Sequence, residues 1–261
     1  MSIIQTAERH SAKLSSDNVM HQRHMIAYAE AAKIVSGSVI EIGSGEGYGI
    51  AHLSAKTEKY YAIDKFASRF DLSKEEQKKV HFIQMNVPPL ENIADNSFDF
   101  AVSFQVIEHI EDDDFFLREI YRVLKPGGKL ILTTPNRKMS ITRNPWHIRE
   151  YLTNELESLA LVIFDKVEMN GVFGNEKVMR YYHANKASVA KITRFDIFNL
   201  QYKLPRKVLQ IPYDILNRVN RKNLHKKNTS EVNNIQLNDF YINNQTENCF
   251  DFFMVAEKKK G

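Results

Sequence analysis

The stretch Ser38-Val-Ile-Glu-Ile-Gly-Ser-Gly-Glu-Gly-Tyr-Gly49 decides the fold of this 261-residue chain. Its apolar start predicts a short strand, and the alternating glycines predict a tight turn that leads into a helix. At the carboxyl edge of a parallel sheet, such a turn lets the backbone approach a ligand closely. The dinucleotide pattern Gly-x-Gly-x-x-Gly fails because Tyr48 takes its third glycine position, and no Gly-Lys-Ser/Thr follows to form a P-loop. Structural turns also use glycine, so this turn alone is weak evidence of a ligand site.

Strands and helices alternate around this turn. Further strands are predicted over residues 59–64, 80–85, 98–104 and 129–134, with a sixth beginning at 161–164 and a last one over 249–256. Helices are predicted over residues 19–35, 48–55, 111–124 and 154–160. Strands separated by helices predict a Rossmann-like α/β fold, which is a doubly wound, mostly parallel sheet covered on both faces.

The composition is that of a globular protein, because 43% of the residues are hydrophobic and 26% are charged. The single cysteine, Cys249, excludes an internal disulfide and a zinc site built on several cysteines, as is typical of a reducing cytoplasm. No apolar run approaches the roughly 18 residues that span a bilayer, and the first ten residues lack the apolar region of a secretory signal. These features predict a cytoplasmic protein without a transmembrane segment.

Positive charge is concentrated in one segment. Residues 175–228 hold thirteen Lys and Arg against three acids, whereas the rest of the chain holds 23 basic and 29 acidic residues. The chain then divides into three predicted parts, which are an N-terminal helical cover (1–36), the core (37–174 and 236–261) and, between the last two strands, a helical basic insertion or cap (175–235). Within this insertion, Pro205 and Pro212 are expected to break helices, and residues 223–234 to form a mobile loop.

Further stretches match the pattern of a known family, in register with the glycine turn. They are Asp64 at the end of the second strand, Asn86 after the third, Asn96-Ser-Phe-Asp99, Gln105-Val-Ile-Glu-His-Ile110, Arg122-Val-Leu-Lys-Pro-Gly-Gly128 and Thr134-Pro-Asn136. With them the chain resembles the class I S-adenosylmethionine-dependent methyltransferases, especially the group that includes quinone-biosynthesis and sugar or antibiotic O-methyltransferases. The resemblance covers roughly residues 8–168 and the terminal strand. It implies an antiparallel last strand and S-adenosylmethionine as the cofactor.

The resemblance also implies roles for the polar residues at the sheet edge. Glu41 would help hold the methionine ammonium, Asp64 would accept hydrogen bonds from both ribose hydroxyls, and Asn86, where the family commonly has Asp, would accept from the adenine amino group. The implied cofactor-binding set is completed by Gly43, Ser44, Gly45, Gly47, Lys65, Val87 and Gln105. The cofactor is cationic and carries no phosphate, which suits carboxylate partners. The alternative is that Glu41 and Asp64 only cap turns, but an unpaired carboxylate at the end of a buried strand is costly.

Two other stretches resemble elements of the family that lie near the reacting groups. Glu8-Arg-His10 and His21-Gln-Arg-His24 resemble Glu-Arg and His-x-x-Arg-Tyr elements that cover the methionine end of the cofactor, and an exposed helix face is their alternative. Asn144-Pro-Trp-His-Ile-Arg-Glu-Tyr151 resembles a stretch at the acceptor pocket. There His147 and Glu150 would accept a proton and Trp146 would form a wall, with a packed Trp beside a helix-capping His as the alternative.

The predicted activity is methyl transfer by in-line displacement, without a metal, to a small-molecule hydroxyl of a sugar, nucleotide-sugar, lipid or secondary metabolite. Nitrogen or carbon is the alternative acceptor atom. His109, which follows the fourth strand near the expected methyl group, is the predicted general base, because imidazole titrates near neutrality. A structural role at the start of a helix is the alternative for His109. Two other functions stay open, an RNA methyltransferase that uses the basic insertion and a non-catalytic protein that binds S-adenosylmethionine.

The basic insertion predicts an anionic acceptor near the acceptor site. Its apolar positions also allow contact with a lipid tail or a peripheral contact with a membrane surface; they are Leu204, Val208, Leu209, Ile211 and Leu216. The alternative is a solvated helical cap whose apolar side rests on the body of the protein. The sequence leaves the oligomeric state open.

Overall fold

A computed structural model describes residues 14–67, 72–196, 198–227 and 229–261 of the chain. The strands within these residues are β1 (Ser38–Ile42), β2 (Lys59–Asp64), β3 (Val80–Gln84), β4 (Phe98–Phe104), β5 (Leu124–Pro135), β6 (Lys166–Gly174), β7 (Phe240–Asn243) and β8 (Asp251–Glu257). The helices are α1 (Asn18–Ala31), α2 (Ile50–Ser54), α3 (Asp113–Val123), α4 (Thr153–Leu161), α5 (Glu176–Thr193), α6 (Leu200–Lys203), α7 (Arg206–Lys227) and α8 (Thr229–Asn233).

All of these strands belong to one sheet, in the order β3-β2-β1-β4-β5-β8-β6-β7. Neighbours from β3 to β5 pair in parallel, and β8 pairs antiparallel with both β5 and β6. The predicted Rossmann-like, mostly parallel sheet with an antiparallel last strand is therefore confirmed. The short edge strand β7 was not predicted, because four residues are too few to show a period.

The core explains why the sheet strands are so apolar. Val39, Ile40 and Ile42 of β1 are fully buried in the centre of the sheet, between β2 and β4. A strand covered on both faces needs apolar residues at consecutive positions rather than at alternate ones. Helix α3 begins at Asp113 because the side chain of Asp112 accepts a hydrogen bond from the backbone N–H of Phe115.

The prediction that residues 161–164 begin the sixth strand is wrong. The backbone N–H groups of Val162, Ile163 and Phe164 donate to carbonyls of α4, so these residues continue the helical turn. Phe164 also buries its ring in the core. The strand begins only at Lys166, where it meets Glu257 of β8. Four apolar residues in a row do not distinguish a strand from the last turn of a helix.

Two predictions for the basic insertion are also wrong. Pro212 does not break the chain into two helices but lies inside α7. Proline has no N–H to donate to the carbonyl of Val208, four residues earlier. Pro212 and Val208 are both exposed, so water can satisfy that carbonyl. Residues 223–234 are not a loop, since they complete α7 and form α8. Leu224 and Val232 are buried, which holds both helices in place.

The chain folds into two compact units. One contains most of the sheet and consists of residues 25–139, 149–173 and 242–261. The described part of the other consists of residues 14–24, 140–148, 174–196, 198–227 and 229–241, and there α7 packs against α5 and against the turn at Ser15–Asp17. The second unit thus joins the insertion to two segments that the predicted boundaries assign to the cover and the core. No helix of the described ranges is long and apolar enough to cross a membrane.

Candidate functional site

The turn that follows β1 is tied to the end of β2. The backbone N–H groups of Gly43 and Ser44 both donate to the carbonyl of Ile63, at 2.8 and 2.9 Å. Gly43 has a φ of 85°, and a Cβ at this position would overlap the side chain of Val106. Gly45 has a φ of 55°, yet its Cβ position has no atom within 4 Å. The turn therefore needs glycine at 43 for space, whereas at 45 it opens toward a cradle that a small ligand can enter.

Asp64 connects the end of β2 to the same turn. Its Oδ2 accepts a hydrogen bond from the N–H of Gly45 at 2.8 Å, and its Oδ1 accepts from the N–H of Phe66 at 2.8 Å. The carboxylate is half-buried. Because an ionised carboxylate has about four acceptor positions, both oxygens can accept further hydrogen bonds from a ligand.

Glu41 lies one strand away and is almost completely buried, with 1% of its surface exposed. Tyr28 donates its hydroxyl to Oε1 at 2.7 Å, and Tyr60 donates to Oε2 at 2.6 Å. Burial raises the pKa of the Glu41 carboxyl, and the hydrogen bonds from Tyr60 and Tyr28 oppose that rise. Glu41 therefore has two partners within the protein, and the prediction that only a ligand would satisfy this carboxylate is wrong. Neither tyrosine was predicted, although a buried tyrosine usually needs a hydrogen-bond partner for its hydroxyl.

Tyr28 is held by the glycine-rich stretch itself. Its ring makes edge contacts with Phe104, at 4.8 Å between ring centres, and with Tyr48, at 5.9 Å. A Cβ at Gly49 would overlap the Tyr28 ring, so glycine at this position makes room for the aromatic side chain. The last glycine of the stretch thus positions the donor of Glu41.

The remaining predicted cofactor residues follow the neighbouring strands at the same edge of the sheet. Gln105 directly follows β4 with a φ of 58°, and its N–H donates to the carbonyl of Thr133 at 2.9 Å. Lys65 and Asn86, which follow β2 and β3, are exposed, and Val87 is half-buried. In parallel strands, side chains at these positions converge on the carboxyl edge, where ligands of such folds bind.

A buried hydroxyl supports a ligand at this edge. Within the described residues, the Oγ of Ser44 is buried and has no hydrogen-bond partner. Leaving a buried hydroxyl unsatisfied costs roughly 1–3 kcal/mol. Together with the open cradle at Gly45 and the two carboxylates, this orphaned group fits a polar, cationic ligand such as S-adenosylmethionine.

The two predicted histidines fall in different compact units. His109 ends a short turn (Ile107–His109) that follows β4, and it is half-buried. Its neighbour Glu108 is buried and accepts a hydrogen bond from the hydroxyl of Thr134 at 2.9 Å. In the other unit, a ring nitrogen of His147 lies 2.8 Å from the side-chain amide of Asn144. The catalytic roles of His109 and His147 stay predictions.

The stretch 144–151 contributes mainly structural contacts. The indole N–H of Trp146 donates to Asp214 of α7 at 3.0 Å. Arg149 and Tyr151 both donate to one oxygen of Asp113, at 2.6 and 2.8 Å. Of the softer match near the N-terminus, His21-Gln-Arg-His24 is half-buried in α1, and Glu8-Arg-His10 lies outside the described residues.

Comparison with known proteins identifies the family. The profile of a family described as "Methyltransferase domain" matches residues 40–132. A probable S-adenosylmethionine-dependent methyltransferase of Mycobacterium tuberculosis is 34% identical over 198 residues, which cover 72% of this chain and 72% of the relative. A ubiquinone biosynthesis O-methyltransferase of Rickettsia conorii is 28% identical over 103 residues, or 38% of this chain and 35% of the relative.

Among solved structures, a methyltransferase of Thermotoga maritima described as a possible histamine N-methyltransferase covers 93% of both chains, with a TM-score of 0.54 and 15% identity. At that identity it shows the fold alone. The Mycobacterium relative carries the assignment further, because it matches across 72% of both chains. The protein is therefore an enzyme that uses S-adenosylmethionine as its cofactor, and the chain belongs to the S-adenosylmethionine-dependent methyltransferases.

Proposed function

We propose that this enzyme methylates a hydroxyl group of a small molecule, such as a sugar, a nucleotide-sugar, a lipid or a secondary metabolite. The observation that carries the methyl-transfer part is the cradle at the end of β1, where an open glycine turn meets Asp64 and the buried Glu41. A relative named as a ubiquinone biosynthesis O-methyltransferase supports oxygen as the methylated atom.

In this proposal, different residues at the sheet edge bind different parts of the cofactor. S-adenosylmethionine, when bound, supplies an electrophilic methyl group on a sulfonium sulfur. Asp64 would accept hydrogen bonds from the ribose hydroxyls, and Asn86 would accept one from the adenine amino group. The backbone from Gly43 to Gly47 lies along the cofactor, with Ser44 offering its buried hydroxyl. Glu41, whose oxygens already accept from two tyrosines, contributes its negative charge toward the ammonium.

The chemical step then needs a positioned acceptor and a base. Holding the nucleophile behind the methyl group is the main resource, because effective molarities on the order of 10⁵ M or more are attainable. We assign the base to His109, since it lies in the turn that follows β4 and is half-buried. We further propose that the acceptor is anionic, which the excess of cations between residues 175 and 228 supports.

Transfer of labelled methyl groups into a cell extract tests the acceptor class. Radiolabelled S-adenosylmethionine is incubated with the extract and the enzyme, and the extract is separated into small molecules, lipids and RNA. We expect the label in the small-molecule or lipid fraction, and we expect none there in a control without the enzyme. Label in RNA would contradict the small-molecule proposal, and no label in any fraction would favour a non-catalytic protein.

Once the acceptor is known, the salt dependence of its KM tests whether it is anionic. Its apparent KM should rise steeply with salt, since the Debye length falls from about 10 Å at 0.1 M to about 3 Å at 1 M. The Kd of S-adenosylmethionine should change little, because Glu41 is buried. An acceptor KM that is independent of salt would contradict the proposal.

A further inference from the structure

The longest helix of the insertion carries apolar side chains on the side that faces solvent. They recur along α7 at intervals of three and four residues, which places them in one stripe: Val208, Ile211, Ile215 and Val219. All four are exposed, and Ile211 keeps 71% of its surface accessible. Leu216 and Pro212, which are also exposed, widen this apolar stripe. Aliphatic surface on this scale is not needed to hold the helix on its own unit.

The opposite face of α7 is held largely by polar contacts. Asn220 is buried, donates to the side chain of Asn185 at 2.7 Å and accepts from the hydroxyl of Ser188 at 2.6 Å, both on α5. Arg221 pairs with Asp17 at 3.4 Å. The usual pattern of a surface helix, apolar inward and polar outward, is thus inverted over most of α7.

Positive charge surrounds the apolar stripe. Helix α7 contains seven Lys and Arg and a single acid, Asp214, which accepts the hydrogen bond from Trp146. Lys207 and Arg218 lie along one flank of the stripe, whereas Lys222 and Lys226 continue its line beyond Val219; all four cations are exposed. The exposed side of α7 therefore combines hydrocarbon with one sign of charge.

The segment that leads into α7 adds exposed aromatic side chains. Phe195 keeps 79% of its surface accessible, and Phe198 and Tyr202 are exposed as well. Aromatic side chains are the residues that favour the boundary between water and lipid. Asp196, which lies among them, accepts hydrogen bonds from the N–H groups of Leu200 and Gln201 and so caps α6.

We propose that the exposed side of α7 and the aromatic segment before it dock on an anionic lipid bilayer. The apolar stripe enters the boundary between headgroups and acyl chains, and the flanking lysines and arginines meet the anionic headgroups. A second copy of the chain fits less well, because a twofold contact through this face would bring the same positive flanks together. RNA would engage the cations but leaves the aliphatic stripe without a partner. This surface is inferred without reference to the acceptor of the methyl group.

Co-sedimentation with vesicles tests this docking surface. The full chain is mixed with vesicles of phosphatidylcholine alone or with roughly 30% phosphatidylglycerol, the anionic lipid. We expect binding to the anionic vesicles only. Two variants should each weaken this binding by about tenfold or more, Ile211→Asp with Ile215→Asp, and Lys207→Glu with Arg218→Glu and Lys222→Glu. Val162→Asp and Lys74→Glu are the matched controls, since both side chains are exposed outside the insertion, and they should bind like the parent.

Unchanged S-adenosylmethionine affinity and Tm show that each variant is folded, and Ile211→Ser with Ile215→Ser replaces the aspartates if either is altered. The proposal is overturned if the parent ignores anionic vesicles, or binds neutral vesicles equally well. It is also overturned if either variant keeps its binding, or if the controls lose theirs. A parent that ignores vesicles but is dimeric by light scattering, with monomeric Ile211→Asp/Ile215→Asp, would instead make this face a contact between copies. Binding to RNA rather than vesicles would likewise reject it.

Discussion

The glycine turn after β1 and the exposed side of α7 depart from the ordinary distribution of residues in opposite directions. Beside the turn, the charged side chain of Glu41 is withdrawn from water and held by two tyrosines. On α7, aliphatic side chains such as Ile211 and Ile215 are presented to water. Folded proteins normally bury the second kind of group and expose the first.

The two regions therefore suit different kinds of partner. A buried carboxylate is costly, and the hydroxyls of Tyr28 and Tyr60 stabilise it here, beside an open turn that a small cation can enter. An exposed apolar stripe cannot be satisfied by a small polar ligand, and only an extended surface covers it. Substitutions at the turn should therefore change cofactor binding or catalysis, whereas substitutions of the exposed aliphatic side chains on α7 should leave both intact.

The largest effect is expected from His109→Ala, which separates chemistry from binding within the sheet-containing unit. If the imidazole is the general base, kcat should fall by roughly 10²–10⁴-fold while the Kd of S-adenosylmethionine stays constant. Steady-state kinetics and calorimetric titration measure the two quantities. A decrease in kcat below about tenfold would make His109 structural and move the assignment to His147. If both single variants stay active, positioning alone suffices for the acceptor.

The next effect concerns Asp64→Ala, which attacks the polar side of the turn. The variant loses two hydrogen bonds to the ribose, each worth roughly 1.5–3 kcal/mol for a charged acceptor, so the Kd should rise at least about a hundredfold. Calorimetric titration with S-adenosylmethionine and with its demethylated product measures the change. Asp114→Ala, which removes an exposed acid paired with Arg118 on α3, should leave the Kd unchanged. A folded Asp64→Ala protein of parental affinity would remove Asp64 from the site.

Two glycine substitutions distinguish packing from ligand binding at the same turn. Gly49→Ala should destabilise the protein by about 1–3 kcal/mol, because the new methyl group overlaps the Tyr28 ring. Gly45→Ala meets no atom and should cost only about 1 kcal/mol for its left-handed backbone, but its methyl group enters the cradle and should weaken cofactor binding. Denaturant unfolding and calorimetry separate the two effects. Equal losses of stability would show that the turn is not open at Gly45.

Much of this site could be predicted from the sequence because its signals are local. The predicted ranges of β2 and β4 coincide with the strands observed, Lys59–Asp64 and Phe98–Phe104. In both, the strand is a short run of β-forming residues that a polar residue ends, and this pattern alone marks its limits. The turn at 43–49 likewise follows from its glycines. The strand predicted at residues 161–164 is wrong because the N–H groups of 162–164 donate to carbonyls of α4. An apolar run alone does not show where its backbone hydrogen bonds go.

The donors of Glu41 and the orientation of α7 could not be predicted in the same way. Tyr28 lies on α1 and Tyr60 on β2, and only the fold brings their hydroxyls to one carboxylate. On α7 the spacing of Val208, Ile211 and Ile215 does predict an apolar face, but spacing does not say which way that face points. The polar contacts of Asn220 with α5 turn it toward solvent, and they depend on tertiary packing.

The smallest expected effect is also the most direct test of the buried charge. Burial raises the folded-state pKa of Glu41 above its unfolded value, so the ionised carboxylate opposes folding. The carboxyl's full contribution to stability is present below the unfolded pKa, and it is lost as the pH rises through the folded pKa. Glu41→Gln keeps an oxygen for one tyrosine hydroxyl and carries no charge. Its Tm relative to the parent should therefore increase from acidic to neutral pH, while its affinity for S-adenosylmethionine decreases. A Tm difference that is independent of pH would mean that the site does not disfavour the ionised carboxylate, and the contrast with α7 would then lose its energetic basis.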